Sequence, residues 1–243
     1  MKSLARALLC LACGLMTSSF MHAPSPMWSK LILTYHWPTT FCSMEHCHST
    51  FDYWTLHGLW TDIGQECNSS WHFNKTLIQD LLPDLLRFWP DLRNPASSSF
   101  WKYEWNKHGT CAAKAESLNS QHKYFDKALE LYKKMALNDL LNRSNIVPSK
   151  AYYTFDHIEG AIFNFYTVKT KIQCNFPEGQ NFQMLGQIEI CFNSDFQLED
   201  CVHSERDTVN HIDFLNDKQS GLRVCDHTTP VYYPPLKEKT SLK

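Results

Sequence analysis

The sequence predicts an α+β fold in one domain, stapled by disulfides. Three observations carry that expectation. Apolar β-branched runs and runs with helical spacing are mixed along the chain without a regular β-α rhythm. No internal repeat and no linker divides the 243 residues, a length that one large domain can hold. Once an amino-terminal leader is set aside, the cysteines that remain are even in number.

The elements follow in order. Leu31 to Trp37 is apolar and β-branched enough for a buried strand, ended by Pro38. Tyr53 to Trp60 reads as a second strand running into Gly58. From Asn74 to Trp89, Leu77, Ile78, Leu81, Leu82, Leu85 and Leu86 recur on one helical face, and Pro83 predicts a kink or two shorter helices. Asn94 to Ser99 has loop composition. Phe100 to Lys107 is expected to be helical, with Ser97 to Ser99 offering an N-cap and Gly109 ending it. Tyr124 to Met135 is amphipathic, with Tyr124, Ala128, Leu131 and Met135 inward and Lys123, Lys127, Lys133 and Lys134 outward. That lysine stripe is read as a solvated face rather than an RNA-binding surface. Ile158 to Tyr166 is a further helix, and Gln187 to Phe192 and Leu222 to Cys225 are later strands.

Lys2 and Arg6 followed by the apolar stretch Ala7 to Met16 and small residues form a secretory leader, taken as residues 1–23. The apolar stretch is too short to span a bilayer, so no membrane anchor is expected. The remainder divides into a domain over 24–236 and a loose lysine-rich tail over 237–243. The formal net charge is −2, and loss of the leader removes two cations and no acid. An acidic chain excludes nucleic-acid binding through a broad basic surface; any such contact must be local and shaped by a pocket.

Cys10 and Cys13 leave with the leader. Cys42, Cys47, Cys67, Cys111, Cys174, Cys191, Cys201 and Cys225 remain, an oxidised framework behind a secretory signal. Roughly 105 pairings are formally open to eight cysteines. Close spacing makes Cys42–Cys47 and Cys191–Cys201 natural local loops, although the stretch from Cys42 to His48 also carries metal-ligand residue types. Sequons at Asn68, Asn74 and Asn142 mark expected glycosylated surface.

Two segments carry the chemistry: Trp54 to Trp60, containing His57 before Gly58, and Phe100 to Cys111, containing Glu104, Lys107 and His108. On a helix, Glu104 and His108 share a face. Two histidines, an acid and a lysine can move protons at a phosphodiester. One imidazole accepts the ribose 2′-hydroxyl proton, another protonates the leaving 5′-oxygen, and a cation offsets charge on the phosphorane-like transition state. The combination points to RNA cleavage with activity peaking in a bell at acid pH. Because Cys67 follows His57 and Cys111 follows His108, a Cys67–Cys111 bridge would hold the two segments together.

At these residues the chain resembles the ribonuclease T2 family of secreted acid ribonucleases, most closely its animal members. The family's two signatures stand here as His57-Gly58-Leu59-Trp60-Thr61 and Phe100 through Cys111. The resemblance also covers Lys30 to Pro38, Asp52 to Trp71, Asn119 to Tyr132 and Val231 to Pro235. It implies a mainly antiparallel central sheet flanked by helices. It implies His57, Glu104 and His108 as the catalytic set, with His108 as base and His57 as acid, and Lys107 supporting the transition state. Trp60 and Asp62 match positions that in some members contact a base. The implied reaction gives 2′,3′-cyclic phosphates and then 3′-phosphates from single-stranded RNA, without metal or cofactor, by a monomer in the secretory pathway, outside the cell or in lysosomes. The implied bridges are Cys42–Cys47, Cys67–Cys111, Cys174–Cys225 and Cys191–Cys201.

Three departures stand out. Tyr103 occupies the place of a third histidine that helps bind phosphate, and Tyr103 offers a hydrogen bond but no charge. Thr61 replaces a proline, and Tyr35 stands where many members carry glutamine, which bears on base preference. Tyr103 is the sole support for an alternative, a secreted binding or signalling glycoprotein with weak turnover. A third reading, Glu104 and His108 as ligands of a catalytic metal, lacks a further ligand at suggestive spacing.

Overall fold

The computed structural model describes residues 28–45, 47, 50–201 and 221–236. The leader and the basic tail expected over 1–23 and 237–243 lie outside the described residues. From the amino terminus run β1 (Lys30–His36), α1 (Pro38–Glu45), β2 (Thr55–Thr61), a 3-10 segment (Lys75–Leu81) and α2 (Leu82–Phe88). A composite helix follows: α3 (Ser99–Glu104), a π segment (Trp105–Gly109) and α4 (Thr110–Ala112). Then come α5 (Gln121–Met135), α6 (Leu137–Arg143), β3 (Tyr152–Tyr153), α7 (Phe155–Tyr166), β4 (Lys171–Asn175) and β5 (Gln183–Asn193). The short strands β6 (Leu198–Glu199), β7 (Leu222–Val224) and β8 (Val231–Tyr232) complete the described chain.

One sheet gathers these strands in the order β2-β1-β5-β4-β7, with β6 and β8 also against β5 and β3 against β8. Every pairing is antiparallel except β5 with β8. The domain is therefore α+β with a mainly antiparallel sheet flanked by helices, as the resemblance implies.

β1 is buried along its whole length because it is covered on both faces. Leu31, Leu33 and Tyr35 point into the main core with Ile172, Ile188, Ile190 and the inner faces of α5 and α7. Ile32, Thr34 and His36 alternate to the opposite face. That face is polar: Thr34 pairs with Glu189 and His36 with Gln187, while Lys171 and Gln173 of β4 stand opposite the same two residues of β5. Tyr35 thus belongs to the core, where its hydroxyl donates to the Tyr132 carbonyl and its ring stacks on Tyr132. Tyr35, which stands where many members carry glutamine, is a core residue, and its neighbour His36 lines the cleft.

Tryptophans fill the core and set its geometry through their indole N–H groups. Trp37 donates to the Pro234 carbonyl, Trp54 to the Tyr233 hydroxyl, Trp89 to the His57 carbonyl, Trp101 to the Trp89 carbonyl and Trp105 to the Trp71 carbonyl. Each bond lets a large ring be buried without stranding its donor.

The helical readings hold in part. Asn74 to Trp89 forms two pieces, but the break falls at Ile78, which has non-helical backbone angles, and Pro83 sits in the first turn of α2 where its missing N–H costs nothing. Of the six apolar residues assigned to one face, Leu77 and Leu86 are 52% and 48% exposed; Leu77 lies in the 3-10 segment, whose geometry breaks the 3.6-residue period, and Leu86 lies on the outer side of α2. In α5 the inward set is buried as expected. On its outer side Lys127 pairs with Glu130 and Lys133 with Asp84, so these lysines are matched by acids at the surface.

All four implied disulfides are present: Cys42–Cys47, Cys67–Cys111, Cys174–Cys225 and Cys191–Cys201. The Cys42–Cys47 pairing displaces the metal reading of that stretch, since a bridged sulfur is no thiolate ligand. Cys67–Cys111 spans 44 positions and ties the loop after β2 to α4. Replacing both Cys67 and Cys111 with alanine is expected to lower the unfolding free energy by roughly 2–4 kcal/mol, read from the urea midpoint against the parent protein.

Candidate active site

His57 and His108 both stand where a regular element takes in an extra residue. In β2, Gly58 faces Thr34 and Leu56 faces Tyr35, so His57 is the unpaired residue of a β-bulge. A bulge bends the strand and re-aims the extra side chain. In the composite helix, the Thr110 N–H reaches back five residues to the Trp105 carbonyl, the signature of a π turn around Lys107, His108 and Gly109.

Gly109 was expected to end this helix, but the helix continues to Ala112. Its lack of a side chain serves packing instead: a Cβ there would overlap the Trp105 ring. The cap differs as well. Ser98 occupies the N-cap position without a side-chain bond, and Ser97 Oγ accepts from the Ser99 N–H. The shared face of Glu104 and His108 is realised, with Trp101, Glu104, Trp105 and His108 all buried.

Trp60 is the hub between the two elements. Its indole N–H donates to Glu104 Oε2 at 2.9 Å. Its ring stacks on His108 at 5.2 Å and meets His57 edge-on at 4.9 Å. Gly58 makes room for this contact, because a Cβ at that position would collide with the Trp60 indole nitrogen and Glu104 Oε2. The contacts place Trp60 among His57, Glu104 and His108, and it lines the cleft as well.

These residues form one wall of a cavity of about 400 Å³. His36, Phe41 and Phe100 line it near His57, and Asp62 and Gln65 lie beyond Trp60. The floor carries Lys171, Gln173, Gln187 and Glu189. Of the residues singled out from sequence, His57, Trp60, Asp62, Tyr103, Glu104, Lys107 and His108 all line this cavity. The Asp62 carboxylate already accepts from the Ser29 N–H and hydroxyl, which anchors the end of β2. Tyr103 is 46% exposed, and its hydroxyl accepts from Lys107 Nζ at 2.6 Å. His36 and the four floor residues escaped the sequence reading. Their one signal was the alternation of polar residues Gln187 and Glu189 within an otherwise apolar strand.

Burial dominates the electrostatics. Glu104 is 1% exposed, and burial pushes its carboxyl up to about 8, with the Trp60 N–H and Lys107 drawing it back only in part. Glu104 Oε1 is buried without a hydrogen bond among the described residues. In acid the group is therefore a neutral carboxylic acid, able to donate. His108 is 4% exposed, and burial holds its imidazole well below the usual histidine range, helped by Lys107 and His57. His36 is depressed in the same way, by burial and by His57.

The Ribonuclease T2 family is the family to which the chain belongs, its sequence profile matching residues 28–201. Ribonuclease T2 of Danio rerio is 56% identical, the alignment covering 98% of this chain and all of that protein. The human protein of the same name is 44% identical, over 87% of this chain and 86% of its own. The crystal structure of human RNase T2 superimposes with a TM-score of 0.75 at 45% identity, covering 86% of this chain and 100% of that one. RNase NT, solved in complex with 5′-AMP, superimposes with a TM-score of 0.68 at 25% identity, over 86% and 98% of the two chains.

Folded Glu104 keeps its proton to about pH 8, whereas an unfolded glutamate releases it near 4.5. Between these values the native state binds more protons, so this group's contribution to stability falls as pH rises, by up to about 1.4 kcal/mol per pH unit. Buried His36 and His108 act oppositely, and their penalty grows as pH falls below the ordinary histidine value. Glu104→Gln removes only the first effect. The stability of that variant relative to the parent is expected to rise steadily from pH 5 to 8 in urea titrations; a constant offset would contradict the assignment.

Proposed function

We propose that the protein is a metal-independent endoribonuclease that cleaves single-stranded RNA by attack of the 2′-hydroxyl, with an acid optimum. The observation that carries this reading is the convergence of His57, Glu104 and His108 on Trp60 at one wall of the cleft. Neutral His108 takes the 2′-hydroxyl proton, and O2′ attacks phosphorus. The 5′-oxygen leaves with a proton from His57, giving a 2′,3′-cyclic phosphate. Water then attacks phosphorus with His57 as base and His108 as acid, opening the ring to a 3′-phosphate. Lys107 and protonated Glu104 donate to the non-bridging oxygens and stabilise the crowded transition state.

The acid optimum has a physical cause in this reading. Burial keeps His108 neutral, and so basic, at a pH where an ordinary histidine is charged. The same acid range keeps Glu104 protonated as a donor.

The reading extends to the setting of the enzyme. Residues 24–236 form the mature catalytic unit, a monomer acting outside the cell or in lysosomes after transit of the secretory pathway. Asn68, Asn74 and Asn142 are all exposed, which suits glycosylation there. No helix among the described residues is long and apolar enough to cross a membrane.

Cleavage of single-stranded RNA from about pH 4 to 8 with EDTA present is expected to follow a bell with its maximum in acid. His57→Ala and His108→Ala should each lower kcat/KM by about 10²–10⁴; loss of wild-type activity on adding EDTA would overturn the metal-free mechanism. Tyr103→His restores a cation beside Lys107 and is expected to lower KM for RNA at pH 5 while leaving kcat nearly constant. An unchanged KM in steady-state assays would count against a phosphate-binding role for this position.

A further inference from the structure

The polar floor of the cleft is linked to the catalytic cluster through one residue. Gln187 is buried on β5, one position after Gly186, which is the extra residue where β5 bulges against β4. Gln187 Oε1 lies 2.9 Å from His57 Nδ1. Gln187 Nε2 lies 2.5 Å from Gln173 Oε1 and 3.1 Å from Glu189 Oε1. Glu189 in turn faces Lys171, its Oε2 being 3.5 Å from Nζ, with both side chains under a tenth exposed.

This arrangement fixes which way the Gln187 amide points. A carboxylate paired with a lysine accepts hydrogen bonds and donates none. The Gln187 atom beside Glu189 must therefore be the NH₂ group, and its second proton serves Gln173. The carbonyl is left for His57, and a carbonyl bonds only to a protonated ring nitrogen. Reversing the amide would set two oxygens against each other at Glu189 and at Gln173, and would turn His57 Nδ1 into an acceptor with the ring proton on Nε2.

We propose that Gln187 is a positioning residue: clamped by Glu189 and Gln173, it keeps the proton of neutral His57 on Nδ1 and leaves Nε2 for the proton exchanged with substrate. The inference rests on the reading of His57 as the acid of the cleavage step. The rings packed around His57 make stacking and edge contacts. His36 from β1 stacks on it at 5.1 Å, Trp60 from β2 meets it edge-on and Phe100 from α3 stacks at 6.1 Å. His108 and His57 also interact through charge. A neutral amide suits a group that must be acid in one step and base in the next, because it orients both protonation states without locking in the charged one.

Two measurements test this. The first uses the unmodified protein: nitrogen-15 chemical shifts of neutral His57 should report the proton on Nδ1, and a proton on Nε2 would overturn the proposal. The second compares Gln187→Met with the parent on RNA and on a nucleoside 3′-(4-nitrophenyl phosphate), whose leaving group departs without a proton. RNA cleavage is expected to fall about 10-fold or more, and nitrophenolate release by less than about 3-fold, since only the first needs the acid. Equal losses on both substrates, or none on RNA, would overturn the proposal. A parent protein that cleaves neither substrate would overturn the reading of function itself, and this inference with it.

Discussion

The carboxyl of Glu104, buried behind Trp60, is the constraint around which the site is built. An acid that is almost fully removed from water cannot hold a charge cheaply, so it is kept protonated and given one donor, the Trp60 indole N–H. That contact requires a residue without a side chain at Gly58. It also requires β2 and the composite helix to keep a fixed separation. Cys67–Cys111 and the bond from the Glu66 N–H to the Lys107 carbonyl both act across that gap.

His57 and His108 owe their placement to irregularity. A regular strand would alternate His57 with its neighbours, and a regular helix would carry His108 on a 3.6-residue spiral. One extra residue in each element turns the following side chains and brings both imidazoles to the same indole. Such irregularities cost backbone hydrogen bonds or strain, which the surrounding tryptophans and their satisfied N–H groups offset. The sheet face behind them is unusual in the same sense. Lys171, Gln173, Gln187 and Glu189 are buried polar groups bonded chiefly to one another, which gives the cleft a rigid floor.

Much of this was legible in the sequence because aromatic and glycine positions carry strong local signals. The β1 and β2 strands, the face of α5, and the grouping of His57, Glu104, Lys107 and His108 follow from residue pattern alone. Gly109 misled because glycine marks both helix ends and close contacts, and only the three-dimensional position of Trp105 distinguishes them. Tyr35 and His36 differ by one position, yet lie on opposite faces of β1; which face holds the cleft depends on β5, more than a hundred residues away. The floor network was hidden for the same reason, since Gln173, Gln187 and Glu189 meet only after β4 and β5 pair. Short strands such as β3, β6 and β8 hold two residues each and leave no periodic trace.

The Cys174–Cys225 bridge also governs how the chain behaves when it is cut. It closes a covalent ring that encloses β5 and the second ring of Cys191–Cys201, and the strand after it delivers Tyr233 to Trp54. A single backbone scission anywhere between residues 175 and 224 therefore yields a two-chain molecule rather than two fragments. The carboxy-terminal piece stays covalently leashed to β4 through the Cys174–Cys225 bond. Such a nicked form runs as one band on a non-reducing gel and as two after thiol treatment, so its apparent size depends on the redox state of the sample.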